Sequence, residues 1–212
     1  MENKILFCVL HGSCYRQRAQ NILNTWGKSI DIIFYADYED EKNKVIKVSE
    51  RTDYFSNEEK HVNVFKFLVN NNYNFEWYFF CDDDTFVNVK NLYKFLENCD
   101  QNSLHGEILM GTYPIDKTLN YCSGGAGYLI HKNIFTPIAE NIHKHRSHSH
   151  SDVTLGLVCR ELNIAAQDSS NLFHSQTPEH YQLDDSAIVD SITFHYVRSI
   201  EKIKRFLYYL NI

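Results

Sequence analysis

Residues 77–87 read Trp77-Tyr78-Phe79-Phe80-Cys81-Asp82-Asp83-Asp84-Thr85-Phe86-Val87. An apolar run of strand length passes directly into three consecutive carboxylates. Burying charge is costly, so a strand with this ending either stops at water or feeds a cation. Three adjacent like charges repel, and a divalent ion relieves that repulsion. Oxygen ligands suit hard ions such as Mg²⁺ and Mn²⁺. An ion held there would bind a diphosphate and stabilise it as a leaving group. Aspartate is also common in turns, so a charged turn at a strand end is the plainer reading of the same residues.

Outward from this run, buried strands alternate with helices. Ile5-Leu6-Phe7-Cys8-Val9-Leu10 is a continuous apolar run that reads as a first strand, and 30–35 reads as a second. Between them, 16–26 has Ile22, Leu23 and Trp26 at helical spacing. The stretch 58–69 repeats apolar residues at Val62, Phe65, Leu68 and Val69, a helix face that Asn70-Asn71-Asn72 terminates. A helix over 91–96 follows the acidic turn. At the carboxyl end, 199–210 places Ile203, Phe206, Leu207 and Leu210 on one face, which should pack on the sheet. Trp26 and Trp77 should be buried. Strand, helix, strand, helix, strand with acids at a strand's carboxyl end predicts an α/β fold. Ligands in such sheets bind at those strand ends. No internal repeat, GxGxxG, Walker loop or linker-like stretch is present.

Composition narrows the function. The chain has 212 residues, 43% hydrophobic and 14% aromatic, enough for one large domain with its own core. A formal net charge of −6 argues against a nucleic-acid partner, because phosphate backbones need a basic surface. The six cysteines show no CxxC spacing and read mostly as free, buried thiols. There is no stretch of membrane-span length and no signal peptide, which places the expected location in the cytoplasm.

The second half carries two further signals. Ser123-Gly124-Gly125-Ala126-Gly127 lets backbone approach a ligand closely, or simply makes a tight turn. Asp152 opens a helix with Leu155, Val158 and Leu162 on one face. It reads either as an N-cap or as a carboxylate facing a cleft and acting as a base.

Taken in order, WYFFCDDDTFV (77–87), SGGAGYLI (123–130), SDVTLGLVCREL (151–162), LFHSQTPEHY (172–181) and TFHYV (193–197) resemble the Fringe and core-1 β1,3-galactosyltransferase group. LFCVLHGSCYRQRAQNILNTWG (6–27) is similar to that group's opening strand and helix, so the resemblance spans nearly the whole chain. It implies a GT-A fold, an α/β fold with a mixed, mostly parallel sheet flanked by helices, filling 1–212 as one catalytic domain, with a nucleotide-sugar-binding half over 1–90 and an acceptor-binding half over 91–212. By the same resemblance Asp82-Asp83-Asp84 stands at the group's DxD motif. Asp84 would bind Mn²⁺ or Mg²⁺ directly, Asp82 would lie nearer the donor sugar and also contribute to the metal, and Asp83 would stand behind them. His195 falls on the group's metal histidine, with His174 the competing candidate. Asp152 matches the catalytic base. Lys60, Gly124 and Gly125 match donor-binding positions, although the partner of Lys60 in relatives reads as Asn63 here.

The implied activity is metal-dependent, inverting transfer of a hexose or N-acetylhexosamine from a UDP-sugar to a hydroxyl of a glycan or glycoprotein, with a β1,3 linkage. The implied partners are the nucleotide-sugar donor and the glycan acceptor. The alternative within the group is an inactive homologue acting as a chaperone or binding partner, which the intact acids disfavour. A pyrophosphorylase would need a glycine-rich basic loop near the amino terminus, and none is seen. Animal relatives carry a membrane anchor and stem, whereas this chain opens within a few residues of its first strand. The stretch His143-Lys144-His145-Arg146-Ser147-His148-Ser149-His150 reads as a solvated loop before the Asp152 helix.

Overall fold

The computed structural model describes residues 4–111, 118–145 and 150–210. Its strands are β1 (Ile5–Leu10), β2 (Ile32–Ala36), β3 (Val45–Lys47), β4 (Trp77–Asp82), β5 (Phe86–Val87), β6 (Leu104–Gly106), β7 (Ile108–Met110), β8 (Asn120–Cys122), β9 (Tyr128–His131), β10 (Ala166–Asp168), β11 (Phe173–His174) and β12 (Thr193–Phe194). The helices are α1 (Arg16–Leu23), α2 (Ser56–Asn70), α3 (Val89–Phe95), α4 (Lys132–Asn141), α5 (Ser151–Glu161), α6 (Pro178–Tyr181), α7 (Asp185–Asp190) and α8 (Ile200–Tyr209).

The main sheet has seven strands in the order β10-β6-β9-β4-β1-β2-β3. Neighbours are parallel except where β9 runs antiparallel to β4 and β6. The solid apolar runs follow from this arrangement, because a strand covered on both faces has no side to leave polar. Ile5, Phe7 and Val9 enter one apolar layer with α1, α3 and α8. Leu6, Cys8 and Leu10 enter the other with α2, α4 and α5. Trp77, Phe79 and Cys81 of β4 join the first layer, and Tyr78 and Phe80 the second. Each such fully buried side chain is worth about 1.5–3 kcal/mol over an exposed one.

Both tryptophans are buried, and Trp26 packs against Phe7. Helix α1 ends earlier than the apolar spacing suggests, at Leu23. Trp26 lies in the turn that follows, where Gly27 N–H bonds back to the Ile22 carbonyl. Helix α8 buries Ile203 and packs Phe206, Leu207 and Leu210 on the first layer. Phe206 stacks on Phe86 and Phe194, so α8 sits on the small sheet β11-β12-β5 rather than on the main one. All six cysteines are free thiols, four of them buried. No helix among the described residues is long and apolar enough to cross a membrane. Of the histidine-rich stretch, 146–149 lie outside the described residues. His145 there pairs with Glu161, and His150 precedes α5.

Candidate active site

Strand order brings the site together. β1 lies between β4 and β2, with Leu10 in register with Asp82 and with Tyr35. The residues just beyond these carboxyl ends therefore converge: His11 after β1, Asp37 after β2, and Asp83 and Asp84 after β4. The β4 acids form a tight turn, closed by the Thr85 N–H to the Asp82 carbonyl. The turn and the acid cluster are thus one object.

The turn splays the three acids apart. Asp83 turns to His11 Nδ1, 2.6 Å away, and also accepts from Arg18 at 2.6 Å. Tyr38 Oη lies 2.8 Å from the other ring nitrogen of His11. Asp82 and Asp84 turn the other way and meet His195. Its Nε2 is 3.0 Å from Asp84 Oδ1 and 3.6 Å from Asp82 Oδ2. Asp82, Asp84 and His195 each offer one ligand atom, and these lie within 4.8 Å of one another. Two carboxylate oxygens and an imidazole nitrogen form a donor set that fits Mn²⁺. His174 is not part of this group. It is buried, stacks on Phe194 and pairs through Nε2 with Ser191 Oγ.

A short strand delivers His195. β12 pairs antiparallel with β5, Phe194 opposite Phe86, directly after the acidic turn. Two threonine hydroxyls then fix the glycine-rich turn against it: Thr85 donates to the Gly125 carbonyl at 2.8 Å and Thr193 to that of Ala126 at 2.6 Å. Gly125 faces the His195 ring with no room for a side chain. The chain next reverses at Tyr196, whose φ of 60° is left-handed and costs about 1–3 kcal/mol for a residue with a Cβ. Its ring stacks on His195, and the reversal returns Arg198 to Asp84, with Nε 2.9 Å from Oδ2.

Electrostatics follow from this crowding. Burial works against a charged Asp84. The hydrogen bond and charge of His195, then Arg198 and Arg18, outweigh it and hold the carboxyl down to about 2. Asp82 is pushed upward by burial and by the neighbouring carboxylates, with His195 opposing. His195 is raised: burial disfavours its cation, but Asp84 and Asp82 favour it more.

Asp152 lies behind the glycine turn. Its carboxylate accepts from the Gly124 N–H at 3.1 Å and from the Val153 N–H at 2.9 Å. The N-cap of α5 is His150, so Asp152 sits in the first turn and the capping reading of it is corrected. Burial raises its pKa, the direction that suits a proton acceptor. Lys60 borders the cleft, but its ammonium is occupied by Asp37 at 2.9 Å. Burial opposes ionisation of Asp37, yet hydrogen bonds from Ser13 and Lys60 bring it down to about 2. Asp82, Asp84, His195, Arg18, Arg198 and Lys60 all line a cleft of about 590 Å³. A larger hollow of about 760 Å³, near Lys94, His105 and Asp190, contains none of these groups. His11, Arg18 and Arg198 are the site residues that sequence reasoning missed: strand order brings in His11, helix α1 carries Arg18, the reversal at Tyr196 returns Arg198, and no local pattern marks any of them.

Residues 2–206 match the Fringe-like family. The chain belongs to that family. It is also similar to the Xenopus laevis glycoprotein-N-acetylgalactosamine 3-beta-galactosyltransferase 1, at 33% identity over 117 residues. That match covers 50% of this chain and 31% of the Xenopus enzyme. Among solved structures, a glycosyltransferase involved in glycosylation of the major capsid of PBCV-1 superposes with a TM-score of 0.57 at 14% identity, covering 96% of this chain and 98% of that one. The galactosyltransferase LgtC, solved with donor and acceptor sugar analogues, superposes with a TM-score of 0.50 at 13% identity, covering 98% and 95%. At such identities these likenesses speak for the fold alone, and that fold is GT-A.

Proposed function

We propose that this chain is a metal-dependent, inverting glycosyltransferase. It would move a hexose or N-acetylhexosamine from a UDP-sugar to a hydroxyl of a glycan or glycoprotein, forming a β1,3 linkage. The observation that carries this reading is the grouping of Asp82, Asp84 and His195 in a cleft at the carboxyl ends of parallel strands, with Asp152 one glycine turn away. Similarity to the Xenopus 3-beta-galactosyltransferase supports a transferred hexose and the linkage.

Asp84 and His195, with Asp82, would hold the ion. When bound, Mn²⁺ or Mg²⁺ supplies the positive charge that stabilises a departing diphosphate. Arg18 and Arg198 add side-chain cations beside the same carboxylate. Arg198 is more than half exposed and has room to turn from Asp84 towards a phosphate. Lys60 acts differently, by bracing Asp37 and the His11 carbonyl at the cleft floor. Asp152 takes the proton of the acceptor hydroxyl as that oxygen attacks the anomeric carbon. One carboxylate on the acceptor side suffices for a single displacement, so configuration inverts. Gly124 contributes through its N–H, which orients Asp152. On this reading 1–90 form most of the donor side, completed by 195–198, and the acceptor side lies within 91–212.

The test is a screen of nucleotide sugars with Mn²⁺, read as UDP release. Release from one UDP-sugar, abolished by chelation and restored by Mn²⁺, is expected. Equal release after chelation would refute the metal dependence, and no release from any UDP-sugar would refute the donor class.

A further inference from the structure

We propose that Glu107, acting through Tyr181 and Ser175, is a positioning residue that selects the metal-binding tautomer of His195. This rests on the reading of His195 as a metal ligand. A histidine offers a lone pair to an ion at only one nitrogen, and the hydrogen bond at the other nitrogen decides which one. Here Nε2 faces Asp82 and Asp84, while Nδ1 lies 3.2 Å from the Ser175 carbonyl oxygen. A carbonyl can only accept, so it holds the proton on Nδ1 and leaves Nε2 for the ion.

The Ser175 carbonyl has to be held still to do this. Ser175 lies outside any strand or helix, one residue beyond β11. What holds it is a closed polar ring. The Ser175 N–H donates to Glu107 Oε2 at 2.5 Å. The Tyr181 hydroxyl donates to Glu107 Oε1 at 2.7 Å. That proton being committed, the Ser175 hydroxyl, 3.1 Å from Tyr181 Oη, donates to the tyrosine oxygen. Glu107 is buried, with both carboxylate oxygens used. It sits between β6 and β7, and its own carbonyl accepts from Ser123 N–H at the head of the glycine turn. One acidic residue thus ties together the two backbone segments that touch the His195 ring. A buried carboxylate is an expensive way to anchor a loop. The Ser175 carbonyl stands where the outer partners of metal-bound histidines stand, and Glu107 is what anchors its residue.

The experiment compares Glu107→Ala, Tyr181→Phe and His195→Ala with the parent. Mn²⁺ affinity is read from water-proton relaxation, and the His195 tautomer from ¹⁵N shifts of the protein saturated with diamagnetic Mg²⁺ at one fixed pH, because without an ion the Asp84 carboxylate competes for a proton on Nε2. We expect Mn²⁺ binding to weaken about 10–100-fold in Glu107→Ala, the range for lost outer partners of metal ligands. Tyr181→Phe should weaken it less, and it deletes only a hydroxyl should Glu107→Ala fail to fold. In both variants the Nδ1–H form should lose its dominance. If His195→Ala loses Mn²⁺ while Glu107→Ala and Tyr181→Phe keep parental affinity and tautomer, the positioning role is overturned and the metal site stands. If His195→Ala binds Mn²⁺ as the parent does, the reading of His195 as a ligand falls, and the inference with it.

Discussion

Gly125 lies flat against the imidazole of His195, so closely that a Cβ at position 125 would come within 2.3 Å of Nδ1. The glycine has no left-handed backbone to explain it. The space is what matters, and the ring of His195 occupies it. Gly125→Ala should therefore displace the ring from Asp84 while sparing the fold. Titration of UDP in the presence of Mn²⁺ should show affinity reduced at least about tenfold, the scale of a disturbed metal ligand, with thermal stability little changed. Parental UDP affinity in this variant would mean that the ring moves without consequence.

Asp84→Asn removes the charge that His195, Arg18 and Arg198 share. Mn²⁺-dependent UDP binding should be lost, since a neutral amide oxygen lacks the negative charge with which the carboxylate attracts a divalent ion. Calorimetry with and without Mn²⁺ measures this directly, and a metal-enhanced UDP affinity in the variant would remove Asp84 from the site.

The two histidine candidates should separate by the kind of damage they cause. His195→Ala should raise the Mn²⁺ concentration needed for activity. His174→Ala should instead lower stability by about 3 kcal/mol, the range for deleting a buried aromatic ring, because its ring stacks on Phe194 at 5.0 Å. Denaturation and Mn²⁺ titration of both variants decide the matter. A metal defect confined to His174→Ala would reverse the assignment.

Asp152→Asn keeps an oxygen for one of the two backbone N–H groups and loses the charge. Turnover should fall about 10²–10⁴-fold, the usual worth of general-base catalysis. UDP affinity should stay near the parental value, because Asp84 and His195 carry the donor site. Parental turnover would leave Asp152 as a purely structural residue in the first turn of α5.

Acid sensitivity should arise in the core as well as at the site. His61 is fully buried between Tyr35 and Tyr128, whose hydroxyls lie 3.1 Å from Nδ1 and 2.8 Å from Nε2. Burial holds this imidazole down to about 3, against an ordinary value of 6.5. A folded pKa below the unfolded one gives stability that is complete above pH 6.5 and is lost as pH falls towards about 3. Within that window the loss is ~1.4 kcal/mol per pH unit. His61→Gln should be less stable at pH 7 but lose less stability on acidification. Urea denaturation from pH 7 to pH 4 measures both, and parallel slopes would rule out His61 as the source.

How far the sequence can be read depends on how local each cause is. Strands β1, β2 and β4 are legible because parallel strands buried on both faces become unbroken apolar runs. The acids at 82–84 are legible as a site because charge directly after such a run needs an explanation. Which way each acid points is not legible. It depends on how the turn after β4 splays its residues, and on β1 being the neighbour that offers His11 to Asp83. Arg18 and Arg198 carry no spacing signal, since their shared partner is far away in the chain. Strands β11 and β12 have two residues each, too few for any period to register. The capping role of Asp152 fails by a shift of two positions at a helix start, where sequence cues are weakest.

The antiparallel pairing of Phe194 with Phe86 has a consequence for biosynthesis. The acids are synthesised early and their histidine late, so a nascent chain halted anywhere between β5 and β12 has Asp82 and Asp84 but no His195 to complete the trio. On the proposed mechanism such a chain is inert, however well its main sheet has formed. Competence on that mechanism requires β12 paired with β5 and α8 packed over Phe86 and Phe194. The seven-stranded sheet is complete in sequence by β10, so a molecule cut between β11 and β12 keeps that sheet covalently whole while its histidine is held by noncovalent contacts alone.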